Sequence, residues 1–315
     1  MDLVKDLEDR LLFAIPKKGR LSQPCLDLLR GSDIKFNKPQ RLDITLVRNL
    51  PIALVFLPAG DIPRLVQRGR IDLGITGRDQ IAEYQLRDPP RDDGKGIDEV
   101  LALPFGGCKL QVQVPKDGDI TEPKQLVGKT VCTSFHHLTS SYFAKFEADA
   151  TGAAANGDAN GELKTEIEWA GGSVESSIAL GDAVGIVDLV ESGDTMRAHG
   201  LKAISTVLES TAVLIKSKRA RNPELVNLIA SRIRGVITAQ AYVLCTYNIK
   251  RELLPIASKV TPGKRAPTIN SLEEEGWVAV SSMVERKKIA EVMDELERIG
   301  AEDILVRTIE NARSS

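Results

Sequence analysis

The sequence is poor in the residues that hold metal sites and disulfide frameworks together. It has four cysteines and three histidines in 315 residues, and the cysteines form no CxxC pair. Zinc sites need clustered ligands and disulfide frameworks need paired thiols, so neither is expected. The apolar neighbours of two thiols indicate core or near-core positions for the set, which is Cys25, Cys108, Cys132 and Cys245.

Charge of one sign and long apolar runs are also missing. The 42 basic and 44 acidic side chains occur in mixed order and leave a net charge of −2, so no domain-wide positive field is available for a nucleic-acid backbone. No stretch approaches the roughly 20 apolar residues that a membrane helix needs, and the N-terminus MDLVKDLEDR has no apolar targeting core. We expect a cytoplasmic protein with no nucleic-acid partner and no membrane partner.

The chain instead alternates short apolar runs with segments of helical period, which is typical of an α/β layer fold. Residues 11–15 (LLFAI) form such a run, and the basic loop PKKGRL and a helix-period segment follow it. Similar runs end at Leu57 and at Ile75, the second followed by TGRD. At 315 residues the chain exceeds the usual size of one hydrophobic core, so two or three domains are expected.

Changes of pattern divide the chain into three parts. Residues 1–108 form a first lobe, to which residues 200–227 return, and residues 109–199 form a second lobe that opens with the alternating KLQVQVP. Residues 228–315 form a tail that spells β-α-β-β-α-β, the arrangement of ferredoxin-like domains. Residues 150–161 are rich in small and turn-forming residues and are interpreted as a surface insertion with no assigned function.

The most informative stretch is GIVDLVESGDTMRAHG, residues 185–200. A strand brings the carboxylate of Asp188 to its C-terminal end, and ESGDT then turns into a helix whose first amides lack backbone partners. Gly193 allows the backbone to approach a phosphate closely, and Ser192 and Thr195 add hydroxyl donors. An acid beside such a phosphate cradle suits a sugar, because a carboxylate accepts hydrogen bonds from ribose hydroxyls.

Several segments resemble the ATP phosphoribosyltransferase family, in the family's order and over nearly the whole chain. DLVESGDTM resembles the phosphoribosyl pyrophosphate loop of that family. The other matching segments are AIPKKGRL, DLGITGRD, GGSVE and, in the last third, TPG, APT, GWVAV, MDEL and GAEDILV. The resemblance is to the long, histidine-regulated, fungal-like form. It implies two α/β lobes like those of periplasmic binding proteins, followed by a ferredoxin-like regulatory domain.

The resemblance also implies roles for individual residues. It assigns catalysis around the ribose to Glu175 and Asp188, and binding of phosphoribosyl pyrophosphate to Glu191, Ser192, Gly193, Asp194 and Thr195. It assigns binding of ATP to Lys17, Arg20, Arg48, Gly74, Thr76, Gly77 and Asp79. It assigns binding of an inhibitory histidine to Asn248, Thr268, Met283 and Asp303. It implies no metal ligand from the protein.

The implied reaction joins the phosphoribosyl group of phosphoribosyl pyrophosphate to N1 of ATP, giving phosphoribosyl-ATP and pyrophosphate, the first step of L-histidine biosynthesis. Mg²⁺ on the pyrophosphate would neutralise the leaving group. Because adenine N1 carries its own lone pair, no covalent intermediate is expected. The implied assembly is a homo-oligomer, a hexamer in equilibrium with dimers, and inhibitory L-histidine would favour the hexamer.

Two other functions stay open at the level of sequence. A solute-binding module would also have two α/β lobes around a cleft, and a regulatory subunit that resembles the enzyme would lack turnover. Taken alone, a strand ending in aspartate before ESGDT is most often an ordinary capped helix start. The neighbours His136 and His137 point in different directions in a strand or loop, so no shared chemistry is expected and the segment is interpreted as a flap over the site.

Overall fold

The computed structural model describes residues 7–37, 43–90, 94–151 and 163–313, with no side-chain detail at the end of the helix that closes at residue 151. Contacts divide the chain into two compact units. The first comprises Met1–Cys25 and Phe36–Val226, and the second comprises Leu26–Lys35 and Asn227–Ser315. Residues 152–161 of the predicted surface insertion lie outside the described residues.

The strands and helices alternate along the chain, as the apolar pattern predicts. The strands are β1 (Leu11–Pro16), β2 (Ile44–Leu46), β3 (Ile52–Leu57), β4 (Leu73–Gly77), β5 (Ile97–Ala102), β6 (Cys108–Pro115), β7 (Thr130–Thr133), β8 (Glu166–Trp169), β9 (Gly185–Val190), β10 (Leu201–Ser210), β11 (Ala212–Ser217), β12 (Tyr242–Lys250), β13 (Thr268–Ser271), β14 (Trp277–Glu285) and β15 (Glu302–Thr308). The α-helices are α1 (Ser22–Gly31), α2 (Asp61–Gln67), α3 (Arg78–Arg87), α4 (His136–Thr151), α5 (Ser176–Leu180), α6 (Asp194–Ala198), α7 (Pro223–Ala241), α8 (Leu254–Val260) and α9 (Ile289–Arg298). Single 3₁₀ turns lie at Pro123–Leu126, Arg251–Leu253 and Arg286–Lys288.

The first lobe is built on a six-stranded sheet of order β2-β3-β1-β4-β11-β5. β1 pairs in parallel with β3 and with β4, so the C-terminal ends of these three strands meet at one edge. β1 is buried at nearly every position, as expected for a parallel strand that is covered on both faces. The loops that follow the three strands therefore lie side by side along that edge.

The second lobe is built on a five-stranded sheet of order β10-β6-β9-β7-β8. β9 and β8 both pair in parallel with β7, so the ends of these three strands also share an edge. The chain passes between the sheets twice, from β5 to β6 and from β10 to β11. Two α/β lobes joined by two crossings confirm the predicted α/β fold class.

The position of β10 corrects the lobe boundary drawn from sequence. Residues 200–227 were assigned to the first lobe, but β10 pairs antiparallel with β6 over its whole length and belongs to the second sheet. The return to the first sheet begins only with β11. Two register shifts interrupt the pairing of β10, between Ala203 and Ser205 and between Thr206 and Leu208. Such irregularities remove the strict alternation that marks a strand in a sequence.

The second unit ends in the predicted ferredoxin-like domain. Its antiparallel sheet has the order β13-β14-β12-β15, and the chain order of strands and helices is β-α-β-β-α-β. Alternate residues of β12 and β14 point into a core that also contains Ala257 from α8 and Leu296 from α9. Both helices thus cover the same face of the sheet. Within the described residues, no helix has the length and apolar character that crossing a bilayer requires.

A buried carboxylate, paired with a half-exposed arginine, fixes the entry to β4. Asp72 is 2% exposed, and its carboxylate accepts hydrogen bonds from the amides of Leu12 at 2.8 Å and Arg221 at 2.9 Å. The guanidinium of Arg221 also donates to it at 2.9 Å. Asp72 therefore joins β1, β4 and the segment after β11, so this member of the DLGITGRD segment has a structural role.

Replacing Asp72 by alanine should lower the free energy of unfolding by about 3 kcal/mol, because two amides and a guanidinium lose a buried acceptor. Asp27 is the matched control, since it forms an exposed pair with Arg30 at 3.0 Å, and its replacement should cost less than about 1 kcal/mol. Urea unfolding followed by circular dichroism measures both. Equal losses in the two variants would contradict the structural role of Asp72.

Candidate active site

The predicted phosphate loop lines a cavity at the C-terminal edge of the second sheet. The cavity has a volume of about 250 Å³, and its walls include Arg20, Gln113, Glu175, Asp188 and residues 189–196. β9 supplies Asp188 near its C-terminal end, as predicted from the sequence. The structure thus brings the two predicted ribose-binding acids and the predicted phosphate loop into one site, together with an arginine from the first lobe.

Gly193 has the backbone geometry that the loop requires. Its φ angle is +79°, in the left-handed region where residues with a side chain are strained, and it stands directly before the first residue of α6. A Cβ atom at this position would also lie 2.8 Å from Nη1 of Arg197. Glycine therefore permits the turn and allows the guanidinium of Arg197 to lie over it.

The side chains of the loop bond to one another. The hydroxyl of Ser192 donates to the carboxylate of Asp194 at 2.5 Å, and Arg197 Nη2 donates to Asp194 Oδ1 at 2.6 Å and to the carbonyl of Ser192 at 3.0 Å. The hydrogen bond from Ser192 and then the contacts with Arg197 lower the pKa of Asp194. These contacts join the exposed side chains of the loop to one another and favour the ionised form of the Asp194 carboxylate.

Asp188 has the opposite electrostatic environment. Burial raises its pKa from 3.8 to about 6, an amide hydrogen bond from Leu189 opposes the rise, and the charge of Glu175 adds to it. Glu175 is the residue directly before α5, and its side chain is partly buried. Two acids that interact at the wall of one cavity form the kind of perturbed pair that marks functional sites.

Arg20 reaches from the loop after β1 to the phosphate loop. Its Nη1 donates to the carbonyl of Gly106 at 2.8 Å and to the carboxylate of Glu191 at 3.2 Å, while Nη2 lies 3.6 Å from Oδ1 of Asp79. Gly106 lies between β5 and β6, where the chain passes between the lobes. Arg20 therefore links the first lobe, the crossing segment and the second lobe within this site.

Asp79 supports Arg20 from a buried position. It is 1% exposed, and its carboxylate accepts a hydrogen bond from Ser210 Oγ at 2.5 Å and one from Gln80 Nε2 at 2.8 Å. A Cβ atom on Gly77 would collide with this carboxylate, so the glycine gives Asp79 its space. Both residues belong to the predicted ATP-binding set, and the structure places them behind Arg20 without an open surface of their own.

Other members of the predicted ATP-binding set lie apart from the cavity. The hydroxyl of Thr76 donates to the carbonyl of Ala59, and a Cβ atom on Gly74 would lie 2.6 Å from Ile62 Cγ2, so both residues serve internal packing. Lys17 pairs with Asp43 at 2.6 Å at the surface near the strand ends. Arg48 is exposed in the turn between β2 and β3, at the opposite edge of the sheet from the ends of β1 and β3.

A second cavity lies along the same strand ends. It has a volume of about 560 Å³ and is lined by α3, by Gly60, by the start of α4 and by Trp169 at the end of β8. Glu83 of α3 accepts hydrogen bonds at 2.8 Å from the amides of His137 and Leu138, and His137 Nδ1 lies 2.9 Å from the same carboxylate. The two histidines thus begin a helix, where a strand or loop was expected, and one of them contacts the first lobe.

The four predicted histidine-binding residues occur in the second unit, on its ferredoxin-like sheet. Asn248 and Met283 occupy the half-buried positions of β12 and β14 that alternate with the core positions, and Thr268 pairs with Ser281 on that same face. Nδ2 of Asn248 donates to the carboxylate of Asp303 at 3.0 Å. The face that the helices leave open therefore carries three of these residues, and the fourth bonds to it.

Two residues of the site were missed in the sequence. Gln113 is 2% exposed on β6, and its Nε2 donates to the carbonyl of Asp188 at 3.4 Å. A polar residue in the alternating run KLQVQVP gave a weak signal, but its partner lies 75 positions away in the chain. Arg197 follows the predicted loop by two residues. Its spacing of three residues from Asp194 on a helix was a signal from which this contact could have been predicted.

The raised pKa of Asp188 has a consequence for stability. The folded-state pKa of about 6 exceeds the ordinary 3.8, so folding takes up a proton between these values and stability falls as the pH rises through them. Asp188→Asn should therefore become more stable than the unchanged chain as the pH rises from 4 to 8. Asp194→Asn should show the opposite trend, because the pKa of Asp194 is lowered. Urea unfolding at several pH values measures both, and parallel curves for all three proteins would contradict the buried position of Asp188.

Two family models match the chain, one after the other. A model described as ATP phosphoribosyltransferase matches residues 58–235, and one described as HisG, C-terminal domain, matches residues 239–311. The first match contains the phosphate loop and both acids of the cavity. The second contains the ferredoxin-like domain.

Curated relatives match over the full length. A protein of Schizosaccharomyces pombe named ATP phosphoribosyltransferase is 58% identical over 315 residues, which cover 99% of this chain and 100% of the relative. Proteins with the same name from Yarrowia lipolytica and Saccharomyces cerevisiae are 55% and 52% identical with the same shares covered.

A solved structure described as an ATP phosphoribosyl transferase (HisG:HisZ) complex from Thermotoga maritima matches with a TM-score of 0.55 and 19% identity. The match covers 71% of this chain and 96% of that one, and at this identity it supports the fold alone. The family models and the full-length relatives carry the assignment. They show that this chain belongs to the ATP phosphoribosyltransferase family.

Proposed function

We propose that the chain transfers the phosphoribosyl group of phosphoribosyl pyrophosphate to N1 of ATP and releases pyrophosphate, in the first step of L-histidine biosynthesis. The observation that carries the proposal is the shared cavity of Glu175, Asp188 and the glycine-containing loop at residues 191–195. The loop offers donors to a terminal phosphate, and the acids offer acceptors to ribose hydroxyls. The name of the full-length relatives supports the same reaction.

The chemistry requires stabilisation of positive charge. As the bond from the anomeric carbon to pyrophosphate lengthens, positive charge builds on the ribose ring, and ionised carboxylates close to it favour that state. Asp188, with a pKa of about 6, is ionised above that pH. Adenine N1 supplies the attacking lone pair, so the protein contributes positioning, which is worth roughly 7–11 kcal/mol in favourable cases.

The second cavity, beside Trp169 and Arg87, offers a place for ATP. An aromatic ring that is 69% exposed can stack on a base, and a guanidinium can pair with a phosphate. This cavity and the phosphate loop lie along strand ends of the same sheet, so a nucleotide there would be close to a ribose in the first cavity. In this proposal Arg20 contacts the polyphosphate of ATP, and Asp79 holds Arg20 in position.

Mg²⁺ fits this site as a companion of the substrate. Among the described residues no group of three or more potential ligands could hold a metal ion, so the protein offers no complete coordination cage. Mg²⁺ commonly binds through one or two carboxylates, substrate phosphates and water, and Glu175 and Asp188 provide oxygens of the right kind. When bound to the pyrophosphate, the ion would neutralise charge on the leaving group.

The proposal predicts that the double variant Glu175→Gln, Asp188→Asn loses turnover by at least about a thousandfold, because two carboxylates near the developing positive charge disappear. Each replacement keeps size and shape, so the fold should persist by circular dichroism. The measurements are the absorbance of phosphoribosyl-ATP and the release of pyrophosphate. Glu168→Gln, an exposed carboxylate of β8, is the control and should retain turnover.

Two outcomes would count against the proposal. Near-normal turnover in the double variant would exclude the ribose role of the two acids. Binding of ATP and phosphoribosyl pyrophosphate by the unchanged chain, with no pyrophosphate released, would favour a binding module or a subunit without turnover.

We further propose that L-histidine binds to the open face of the ferredoxin-like sheet and inhibits the reaction, in a cytoplasmic homo-oligomer that exchanges between dimer and hexamer. The Asn248 amide nitrogen donates to the Asp303 carboxylate, and the Asn248 amide oxygen and this carboxylate are acceptors that an amino-acid ammonium group can use. Binding at one unit that alters the affinity of the other is a coupling between two sites.

Thr268→Val tests this site with little change in shape. The variant removes an exposed hydroxyl from β13 and keeps a β-branched side chain, so the concentration of histidine for half inhibition should rise at least about fivefold, by loss of one hydrogen bond. Thr308→Val, an exposed threonine of β15, is the matched control and should leave inhibition unchanged. Inhibition curves from the pyrophosphate assay measure both, and equal curves for all three proteins would contradict the assignment.

A further inference from the structure

The first cavity is lined by more carboxylates than cations, although its proposed ligand is an anion. Four carboxylates line it, those of Glu175, Asp188, Glu191 and Asp194, and Arg20 is the one cation among the described lining residues. Phosphoribosyl pyrophosphate brings a terminal phosphate with a charge near −2 at neutral pH. Mg²⁺ would offset charge at the pyrophosphate end and not at the terminal phosphate. A second cation is needed near the loop.

Arg197 lies where such a cation is required. Its guanidinium covers the turn, with Nη1 2.8 Å from the place of a Cβ atom on Gly193 and Nη2 3.0 Å from the carbonyl of Ser192. It lines the cavity that adjoins the loop on the side of Lys109, and its side chain is 62% exposed. A ligand that enters the turn therefore meets this guanidinium without displacing any buried group.

The present partner of Arg197 resembles a phosphate in its chemistry. The carboxylate of Asp194 accepts from Nη2 at 2.6 Å, across an exposed pair three residues apart on α6. Exposed pairs of this kind contribute little to stability, so the guanidinium is released at small cost. A phosphate offers more charge and more acceptor atoms to the same planar donors.

We propose that Arg197 binds the terminal phosphate of phosphoribosyl pyrophosphate, and that it exchanges the Asp194 carboxylate for that phosphate when the substrate enters. The inference rests on the proposed function and adds a phosphate-binding residue outside the ESGDT segment. The contact with Ser192 holds the arginine over the turn before the ligand arrives. Asp194 keeps the guanidinium in place and competes with the ligand for it.

Lys109 is the alternative cation beside the loop. It lines the same adjoining cavity, but it stands on β6 and its ammonium group pairs with Glu209 at 2.7 Å. If the effect on substrate affinity were only a general electrostatic one, replacing Lys109 and replacing Arg197 would weaken substrate binding to the same extent. If Arg197 makes a specific phosphate contact, only its replacement would weaken binding strongly. Lys109→Ala removes the same charge and is therefore the matched control.

The test measures binding of phosphoribosyl pyrophosphate and of ribose 5-phosphate to the full chain by calorimetry. Arg197→Ala should raise both dissociation constants at least about tenfold, as loss of a charged hydrogen bond does, whereas Lys109→Ala should raise them less than about threefold. Arg197→Lys should recover part of the affinity. Asp194→Asn should lower the dissociation constants, and it should do so less when Arg197 is already alanine.

Steady-state kinetics separate this role from a structural one. Arg197→Ala should raise the KM for phosphoribosyl pyrophosphate about tenfold or more, with the KM for ATP and the kcat within about threefold of the unchanged chain. Unchanged binding in Arg197→Ala, or equal losses in Arg197→Ala and Lys109→Ala, would overturn the inference. If the unchanged chain binds ribose 5-phosphate but releases no pyrophosphate, the proposed reaction fails, and the binding comparison still decides the role of Arg197.

Discussion

The contacts of one guanidinium connect the parts of the first unit that must act together. Arg20 bonds to the crossing segment at Gly106 and to the phosphate loop at Glu191, and the buried carboxylate of Asp79 stands behind it. A carboxylate with 1% exposure needs such partners, because burial without them is costly. Because the Asp79 carboxylate needs this partner, it also holds the guanidinium of Arg20 in one orientation before any substrate binds. The first lobe thereby takes part in a site whose other walls belong to the second.

The negatively charged side chains and the hydrogen-bond donors of the site lie in different parts of it. Acceptors gather where the ribose hydroxyls and the developing positive charge are proposed to lie, at Glu175 and Asp188. Donors gather at the turn of Gly193 and at the arginines on either side of it. Binding a multiply charged substrate needs cations, whereas stabilising its transition state needs anions close to the ring. The mixed charge of the whole chain, with a net charge of −2, is consistent with local solutions of this kind.

Sequence patterns predicted the fold wherever one element buries a regular face. The strand before ESGDT was predicted and is observed as β9, because a short apolar run that begins with glycine and ends before ESGDT is compatible with few other structures. β10 was missed because its two register shifts remove the alternation of apolar and polar residues that marks a strand. The boundary between the two lobes was therefore placed before β10 instead of after it. Motif matching predicted a phosphate loop from neighbouring residues, and the structure places these residues together at the wall of one cavity. It also predicted ATP contacts for Gly74 and Thr76, and the structure places these residues beside Ile62 and Ala59, in internal contacts that have no local signal in the sequence. Gln113 and Glu83 contact partners more than 50 positions away, and pairings of that kind have no local signal.

The proposed reaction, which needs no protein nucleophile, makes strict demands on backbone shape. Its catalysis comes from holding two substrates in a reactive arrangement, and small displacements of a bound group are then expensive. The terminal phosphate is the natural anchor, because it lies at the far end of the sugar from the bond that breaks and does not change charge during transfer. An anchor made of amides on a left-handed glycine turn has a fixed geometry, since the turn is set by the φ of Gly193 and not by side-chain rotamers. In the proposed complex, Arg197 exchanges its Asp194 partner for the ligand, while the backbone proposed to hold the ribose beside Asp188 keeps its position.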